Sequence, residues 1–441
     1  MKVFERCIRV IIMEKCEGLI NKKQHGFLPL KSCTTQMVPF ADNIAQCLNE
    51  RSRTDIIYFD FAKAFDSVNH DIILRKLKQD FKIDGLLLKF LKSYLENRSQ
   101  KVVIGGSQSS KITVRSGVPQ GSILGPLLFV LFINDLHCCV DQDTEIALYA
   151  DDTKIWRKIL TDRDNTVLQN DINRLNDWAK LNKMHFHPAK CKVLSITHER
   201  ELHILPFDRF PYCLGDTCLD YVSSEKDLGV YVNIKLNCSL HCITLIAKQT
   251  NLLNLLRRTC HFTKNKSQKR VLYLTLVRSQ LEHCSVVWAP HQETLLTKFE
   301  AVQKRAVKWI LSEQFESYTP EVYIEKLHDL DLFPIKEKFL YTDLSLFHKI
   351  INNDVNIGVP KYLSLVTQSD IGSRLRRSHL DPLCFKHDLG LCKEVFNNSF
   401  FPRVYMAWNR LPLQIKMLED YDCFQLELKQ YLWMELREKP D

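Results

Sequence analysis

Three carboxylates stand out for their surroundings. Asp151 and Asp152 interrupt the apolar run LYADDTKIW (148–156), and Asp60 comes near the end of another, DIIYFDF (55–61). Adjacent negative charges flanked by Leu148, Tyr149 and Ala150 on one side and Ile155 and Trp156 on the other cost desolvation energy unless cations neutralise them. Carboxylate oxygens suit hard divalent ions. Two such ions about 3.5–4 Å apart can hold both the attacking and the leaving oxygen of a phosphoryl transfer. One lowers the pKa of a nucleotide 3′-hydroxyl, and the other neutralises the charge that develops on a leaving pyrophosphate. An Asp-Asp pair alone is most often a solvated turn. The apolar flanks and the third carboxylate favour chemistry here.

That chemistry requires elements that bring residue 60 beside residues 151 and 152. DIIYFDF is a nearly continuous apolar run, which suits a strand buried on both faces. EIALYADDTKIW (145–156) reads as strand, tight turn, strand, with the Asp pair at the tip. If the two strands are neighbours, Asp60 and Asp151 face each other across a short gap. Helices are expected over HDIILRKLKQDF (70–81), GLLLKFLKSYLENR (85–98) and TVLQNDINRLNDWAKL (166–181), the last with Leu168, Ile172, Leu175 and Ala179 as its stripe. KVVIGGSQSSKITVR (101–115) reads as two strands with a Gly/Ser-rich turn, and SGVPQGS (116–122) as a loop. Pro126 can open a buried helix over ILGPLLFVLFI (123–133), a segment too short to span a bilayer. KCKVLSIT (190–197) and LGVYVNI (228–234) read as strands. Val3, Phe4, Cys7, Ile8, Ile11 and Ile12 recur at helical spacing, so the chain opens on an amphipathic helix. From about residue 238 the pattern is mostly helical. The whole predicts an α+β body followed by a helical appendage.

Bulk composition sets few further limits. At 441 residues the chain is too long for one core, so two or three domains are expected. The net charge of +9 permits an anionic partner without demanding one. The opening KVFERCIRVIIMEK is broken by Glu5, Arg6 and Arg9 and is not a signal peptide. The 16 cysteines are therefore expected inside the cell, reduced and mostly buried. Cys238, His241 and Cys242 lie close together, as do Cys213 and Cys218, yet no second ligand pair at zinc spacing accompanies them.

FDFAKAFDSVNHDIILRKL (59–77), SGVPQGSILGPLLFVLFINDL (116–136) and YADDT (149–153) resemble, in order and spacing, the central motifs of reverse transcriptases. The resemblance is nearest to non-long-terminal-repeat retrotransposons of the jockey-like kind. QHGFLPLKSCTTQM (24–37), HPAKCKVLSIT (187–197) and KDLGVYV (226–232) are similar to the flanking motifs. FFPRVYMAWNRLPLQI (400–415) looks like a C-terminal signature of these elements. The fold this implies is a right-hand polymerase palm with partial fingers over 1–235, a helical thumb-like region over 236–330 and a helical C-terminal region over 331–441. The implied activity is RNA-directed DNA polymerisation. It would use an RNA template (the element's own RNA among them), a DNA primer and dNTPs, with two Mg2+ ions or Mn2+ in their place, and no membrane partner. A catalytically inactive RNA-binding remnant is the alternative. An intron-maturase-like splicing factor is weaker, because the C-terminal signature points to retrotransposons.

The resemblance also assigns roles. Asp60 and Asp151, with Asp152 beside them, would be catalytic and bind the metals. Phe65 would be a steric gate against the ribose 2′-hydroxyl, the group that separates RNA from DNA precursors; plain core packing is the other reading of that ring. Asp66 would cap the following helix. Gln120 and Gly121 would lie by the incoming nucleotide and template base, where Gly117 and Gly121 let the backbone approach a ligand. Lys190 would sit near the departing pyrophosphate, and Leu228 and Gly229 in a primer-gripping hairpin. Where the family tends to have Gly-Arg-Ser, this chain has Leu30, Lys31 and Ser32, which keeps a charge but loses a bidentate fork. Family members carry further fingers sequence and an endonuclease ahead of this chain's start, so an N-terminally truncated piece is expected.

In the helical part, LLTKFEAVQKRAVKWIL (295–311) shows a stripe of Leu295, Phe299, Val302, Ala306 and Trp309, with Lys298, Lys304, Arg305 and Lys308 away from it. RRTCHFTKNKSQKR (257–270) and RLRR (374–377) add basic clusters suited to nucleic-acid phosphates or to solvated faces. Trp288, Trp408 and Phe401 could stack on bases, although buried aromatics are the default.

Overall fold

In the computed structural model, the apolar run ahead of Asp60 forms strand β1 (Arg53–Phe59), buried at most positions. It lies at the centre of a five-stranded sheet, as a run without polar alternation should. The other strands are β2 (Glu145–Tyr149), β3 (Asp152–Ile159), β4 (Lys192–Ile196) and β5 (Asp220–Tyr221), in the order β5-β4-β1-β3-β2. β1 runs antiparallel to β3 and β4, with Ile57 opposite Ile155 on one side and Val193 on the other. β5 joins the edge parallel to β4. The structure describes residues 2–197, 209–313, 318–366, 383–387, 389 and 392–438.

Helices supply the rest of this core. Leu124–Phe132 is buried at every position but Pro126, and Asp162–Leu181 buries Leu168, Ile172, Leu175 and Ala179. Both join one apolar cluster with Ile57, Phe59 and Ile155. Gly105 and Gly106 close an exposed ribbon of short strands between Arg98 and Val114. The first helix, Lys2–Lys15, departs from its sequence pattern. Val3, Phe4 and Ile11 of the apolar stripe are exposed, and the buried positions are Glu5 and Ile12. Glu5 is buried because its carboxylate accepts from the backbone N–H groups of Ile123 (2.7 Å) and Leu124 (3.2 Å). It thereby caps a helix that its own flanking residue leaves without a side-chain cap.

The chain divides into two compact units, Met1–Gln36 with Arg51–Glu225, and Met37–Glu50 with Lys226–Asp441. The second is mainly helical, its long helices being Ser239–Thr259, Glu293–Leu311, Ile335–Ile351 and Tyr421–Glu438. Trp288, Trp408 and Phe401 are buried in it. Trp288 stacks on Phe299, and Trp408 packs on Phe347 and Phe424, so these rings are core and not base platforms. Arg403 of the 400–415 signature forks onto buried Asp343, at 2.8 and 3.1 Å, and donates to the carbonyls of Asn398 and Val286. The RLRR cluster lies outside the described residues. Among the described residues no helix is long and apolar enough to cross a membrane.

Candidate active site

The β2–β3 hairpin closes through two residues, Ala150 and Asp151, between the paired Tyr149 and Asp152. Ala150 has φ 55°, a conformation unfavourable for a side chain bearing a Cβ. A neighbouring segment holds it there. Leu148 N donates to Lys23 O (3.0 Å), and His25 N donates to Leu148 O (2.8 Å). The Gln24 side-chain oxygen accepts from both Ala150 N (3.0 Å) and Gly26 N (2.7 Å). Gly26 approaches so closely that a Cβ there would lie 2.4 Å from Ala150 N.

Lys31 braces the same segment, its ammonium donating to the carbonyls of Lys22 and Gln24 at 2.7 Å each. Burial, with the charge of Lys22, lowers its pKa to about 8. Lys31 therefore spends these donors on backbone carbonyls.

Asp60 follows β1 directly. Phe59, the last residue of β1, pairs with Thr153, and Asp60 next to it is close enough for its charge to act on Asp151. Opposed antiparallel residues have Cα atoms about 4.5–5.5 Å apart. The loop 185–191 fixes Asp60 from the other side. Its carbonyl accepts from His187 N (2.8 Å), and its N–H points at the Cys191 thiol (3.5 Å). Phe186 stacks on Phe61 with ring centres 4.3 Å apart. Lys190, at the end of the short turn Pro188–Lys190, brings its ammonium to 3.4 Å from the Asp60 carboxylate.

The electrostatics of the pair are unbalanced. Burial raises the pKa of Asp151, and the Asp60 charge raises it further, against the opposing pull of its own backbone N–H. Asp152 is exposed. Among the described residues no three His, Cys, Asp or Glu side chains converge tightly enough to hold an ion by themselves. An all-oxygen set of one or two carboxylates, with water and substrate oxygens completing the shell, is what magnesium takes. The residues present fit such an ion.

Phe65 is half-buried, its ring stacked on Phe129 (4.6 Å between centres) and edge-on to Phe27 (6.2 Å). The SGVPQG loop grips the turn that carries it. Gly117 N donates to Val68 O (2.8 Å) and Val118 N to Phe65 O (2.9 Å). A Cβ on Gly117, which has φ 90°, would come within 2.8 Å of Asp66 Cα, so this glycine makes room for the protein's own backbone and not for a ligand. Asp66 does not cap a helix. Asn69 caps His70–Gln79 by accepting from Ile72 N, and Asp66 accepts instead from the Gln120 amide at 3.0 Å. The cap position lies just ahead of the helix, and Asn69 is the polar residue that occupies it. Gly121 faces open space.

The first unit thus sets Lys190 beside Asp60 and Asp60 within electrostatic reach of Asp151, with exposed Asp152 next in the chain, and ties Gln120 to the turn bearing Phe65. Leu228 and Gly229 form a two-residue turn in the second unit, where Leu228 O meets the His283 ring at 3.0 Å. Gln24, Gly26 and Cys191 are positioning residues that the sequence reading did not single out. For Gly26 the available signal was a glycine inside a motif-like stretch.

Three antiparallel strands, β1, β3 and β2, thus carry carboxylates just past one strand end and at the adjoining hairpin turn. The sequence profile of the family described as "Reverse transcriptase (RNA-dependent DNA polymerase)" matches residues 1–270, and the chain belongs to that family. Within it the chain is similar to proteins of jockey-like elements. It is 24% identical over 322 residues to the "Probable RNA-directed DNA polymerase from transposon X-element" of Drosophila melanogaster, covering 70% of this chain and 34% of that protein. It is 24% identical over 399 residues to the "RNA-directed DNA polymerase from mobile element jockey" of Drosophila funebris, covering 86% and 42%. The chain therefore spans well under half the length of these curated relatives. A solved chain, "Structure of apo telomerase from Candida Tropicalis", aligns at 12% identity and TM-score 0.39 over 74% of this chain and 54% of that one.

Proposed function

We propose that this chain is the polymerase portion of a non-long-terminal-repeat retrotransposon protein, extending a DNA primer with dNTPs on an RNA template. One observation carries the reading. Asp60 and Asp151, distant in sequence, lie close enough for the Asp60 charge to raise the pKa of Asp151, and the Lys190 ammonium stands 3.4 Å from the Asp60 carboxylate.

Asp60 and Asp151 would hold divalent cations, Mg2+ first and Mn2+ as a substitute, with Asp152 adjoining. Bound there, such ions supply activation of the primer hydroxyl and charge neutralisation on the leaving pyrophosphate. The remaining work falls to the chain. Lys190, beside Asp60, would meet the pyrophosphate as a point charge. Phe65, wedged against Phe129, presents a fixed ring edge to the sugar and excludes a 2′-hydroxyl. Gln120, anchored on Asp66, and the open backbone at Gly121 flank the nucleotide. Gln24 and Gly26 keep Asp151 at its turn.

Primer extension on poly(rA)·oligo(dT) with Mg2+ tests the reading, using this chain and the longer protein that contains it. Synthesis by wild type and its loss in Asp151→Asn are expected. Equal synthesis by Asp151→Asn, or none by the longer protein, would defeat it.

A further inference from the structure

Away from the carboxylates, the helical unit contains a cleft of about 770 Å³. Helices Ser239–Thr259 and Glu293–Leu311 contribute to its walls, with Lys269 from helix Lys266–Leu272. Arg257, Arg258, Lys269, Arg305, Lys308 and Trp309 line it. Lys269 is structural. It is buried, and its ammonium donates to Trp309 O (2.9 Å) and Ser312 Oγ (2.8 Å), which fixes the end of the second helix and with it the Trp309 ring.

The three arginines are a different case. Among the described residues, Glu313 is the lone carboxylate lining the cleft, and it is committed to Lys326 at 2.6 Å and to the Tyr318 hydroxyl. No carboxylate pairs with Arg257, Arg258 or Arg305 among the described residues. Complementing helix dipoles explains a basic residue in a last turn, and so accounts for Arg257, Arg258 and Lys308. It does not account for Arg305, more than one turn from the end of its helix. Guanidinium groups from different walls match the planar, bidentate geometry of phosphate oxygens. Trp309 is half-exposed among them, a ring face without sequence preference. The Lys269 ammonium lies over this ring, 5.8 Å from its centre. Bases in a duplex are already stacked on one another, so the exposed part of the ring favours an unpaired strand.

We propose that this cleft binds a single-stranded nucleic-acid segment, its phosphates on Arg257, Arg258 and Arg305 and one base against Trp309. The interaction needs no metal and does not depend on the polymerase reading.

Fluorescence anisotropy of a short labelled oligouridylate with the full chain, in EDTA and at low salt, tests this. Arg257→Glu/Arg305→Glu is expected to weaken binding at least tenfold and to flatten the slope of log K against log salt by roughly 1.4, the equivalent of two phosphate contacts. Arg257→Lys/Arg305→Lys should retain most of the affinity. Trp309→Leu should cost about tenfold on oligouridylate and nothing on an abasic strand of equal length. Thermal melting by circular dichroism checks that each variant folds. Unchanged binding by a folded charge-reversal pair overturns the site. Tighter binding of blunt duplex than of single strand, or a Trp309→Leu loss shared equally by the abasic strand, overturns the single-strand assignment. A chain that binds in EDTA but never extends a primer leaves this proposal standing while defeating the polymerase reading.

Discussion

Gly26 and Ala150 are in backbone contact so close that the smallest side chain on Gly26 would sit 2.4 Å from the Ala150 nitrogen. The hairpin turn bearing Asp151 is therefore held by a segment more than 120 residues earlier in the chain. Gly26→Ala must push that segment or the turn away. Overpacking of this kind costs about 1–3 kcal/mol, and a displacement near 1 Å can lower a rate about 10²-fold. Extension activity is expected to fall further than the melting temperature alone would explain. A variant that keeps wild-type kcat would show that the clamp does not position Asp151.

Asp151→Asn removes the charge that opposes Asp60. Without divalent ions the variant is expected to melt at a higher temperature than wild type, because burial and the Asp60 charge both disfavour the ionised Asp151. With millimolar Mg2+ the order should close or reverse, since only wild type gains stability from a bound ion. Differential scanning calorimetry with and without Mg2+ reads this directly. An equal Mg2+ response in both proteins would remove Asp151 from the ion's ligands.

Phe65 serves two purposes that one substitution separates. Phe65→Ala is expected to admit ribonucleotides in single-turnover incorporation. It should also lower stability by roughly 1–3 kcal/mol through the lost stack on Phe129. Phe65→Leu restores much of the packing but not the ring. Loss of stability with unchanged sugar discrimination would leave Phe65 as a core residue only.

Asp42 gives the second unit a pH dependence. Burial raises its pKa to about 6, against hydrogen bonds donated by the Tyr362 hydroxyl (2.5 Å) and the Gln46 amide (2.7 Å). The folded state then binds a proton more tightly than the unfolded chain. The stabilisation is complete below the ordinary carboxylate value of 3.8 and is lost as pH rises through about 6. Asp42→Asn should flatten urea-unfolding stability across that window and leave the variant ahead above pH 6 by roughly 2–3 kcal/mol. Parallel pH profiles for the two proteins would contradict it.

Much of the catalytic unit was legible along the chain because its signals are local. An unbroken apolar run marks a doubly covered strand, and charges beside such a run mark a turn or a site. Those rules placed Asp60 at the end of β1 and Asp151 at the hairpin turn, and the motif order pointed to the family. The same locality explains the misses. The first helix keeps Ile8 and Ile12 against the core but leaves Val3, Phe4 and Ile11 exposed and buries Glu5, whose capping partners near residue 123 no periodicity reveals. Lys31 reads as a surrogate for arginine until its ammonium is found on the carbonyls of Lys22 and Gln24. Asp66 reads as a cap until Asn69 takes that place.

The sequence by itself determined which side chains carry charge into apolar surroundings and which segments become strands, turns and helices, since both follow from neighbours within a few residues. Only the tertiary structure decided that Phe59 pairs with Thr153, that Gln24 and Gly26 hold the turn bearing Asp151, and that arginines from separate helices line one cleft. Register and hydrogen-bond partners across long separations are chosen by the burial of the whole sheet and core, a quantity that no short window of sequence contains.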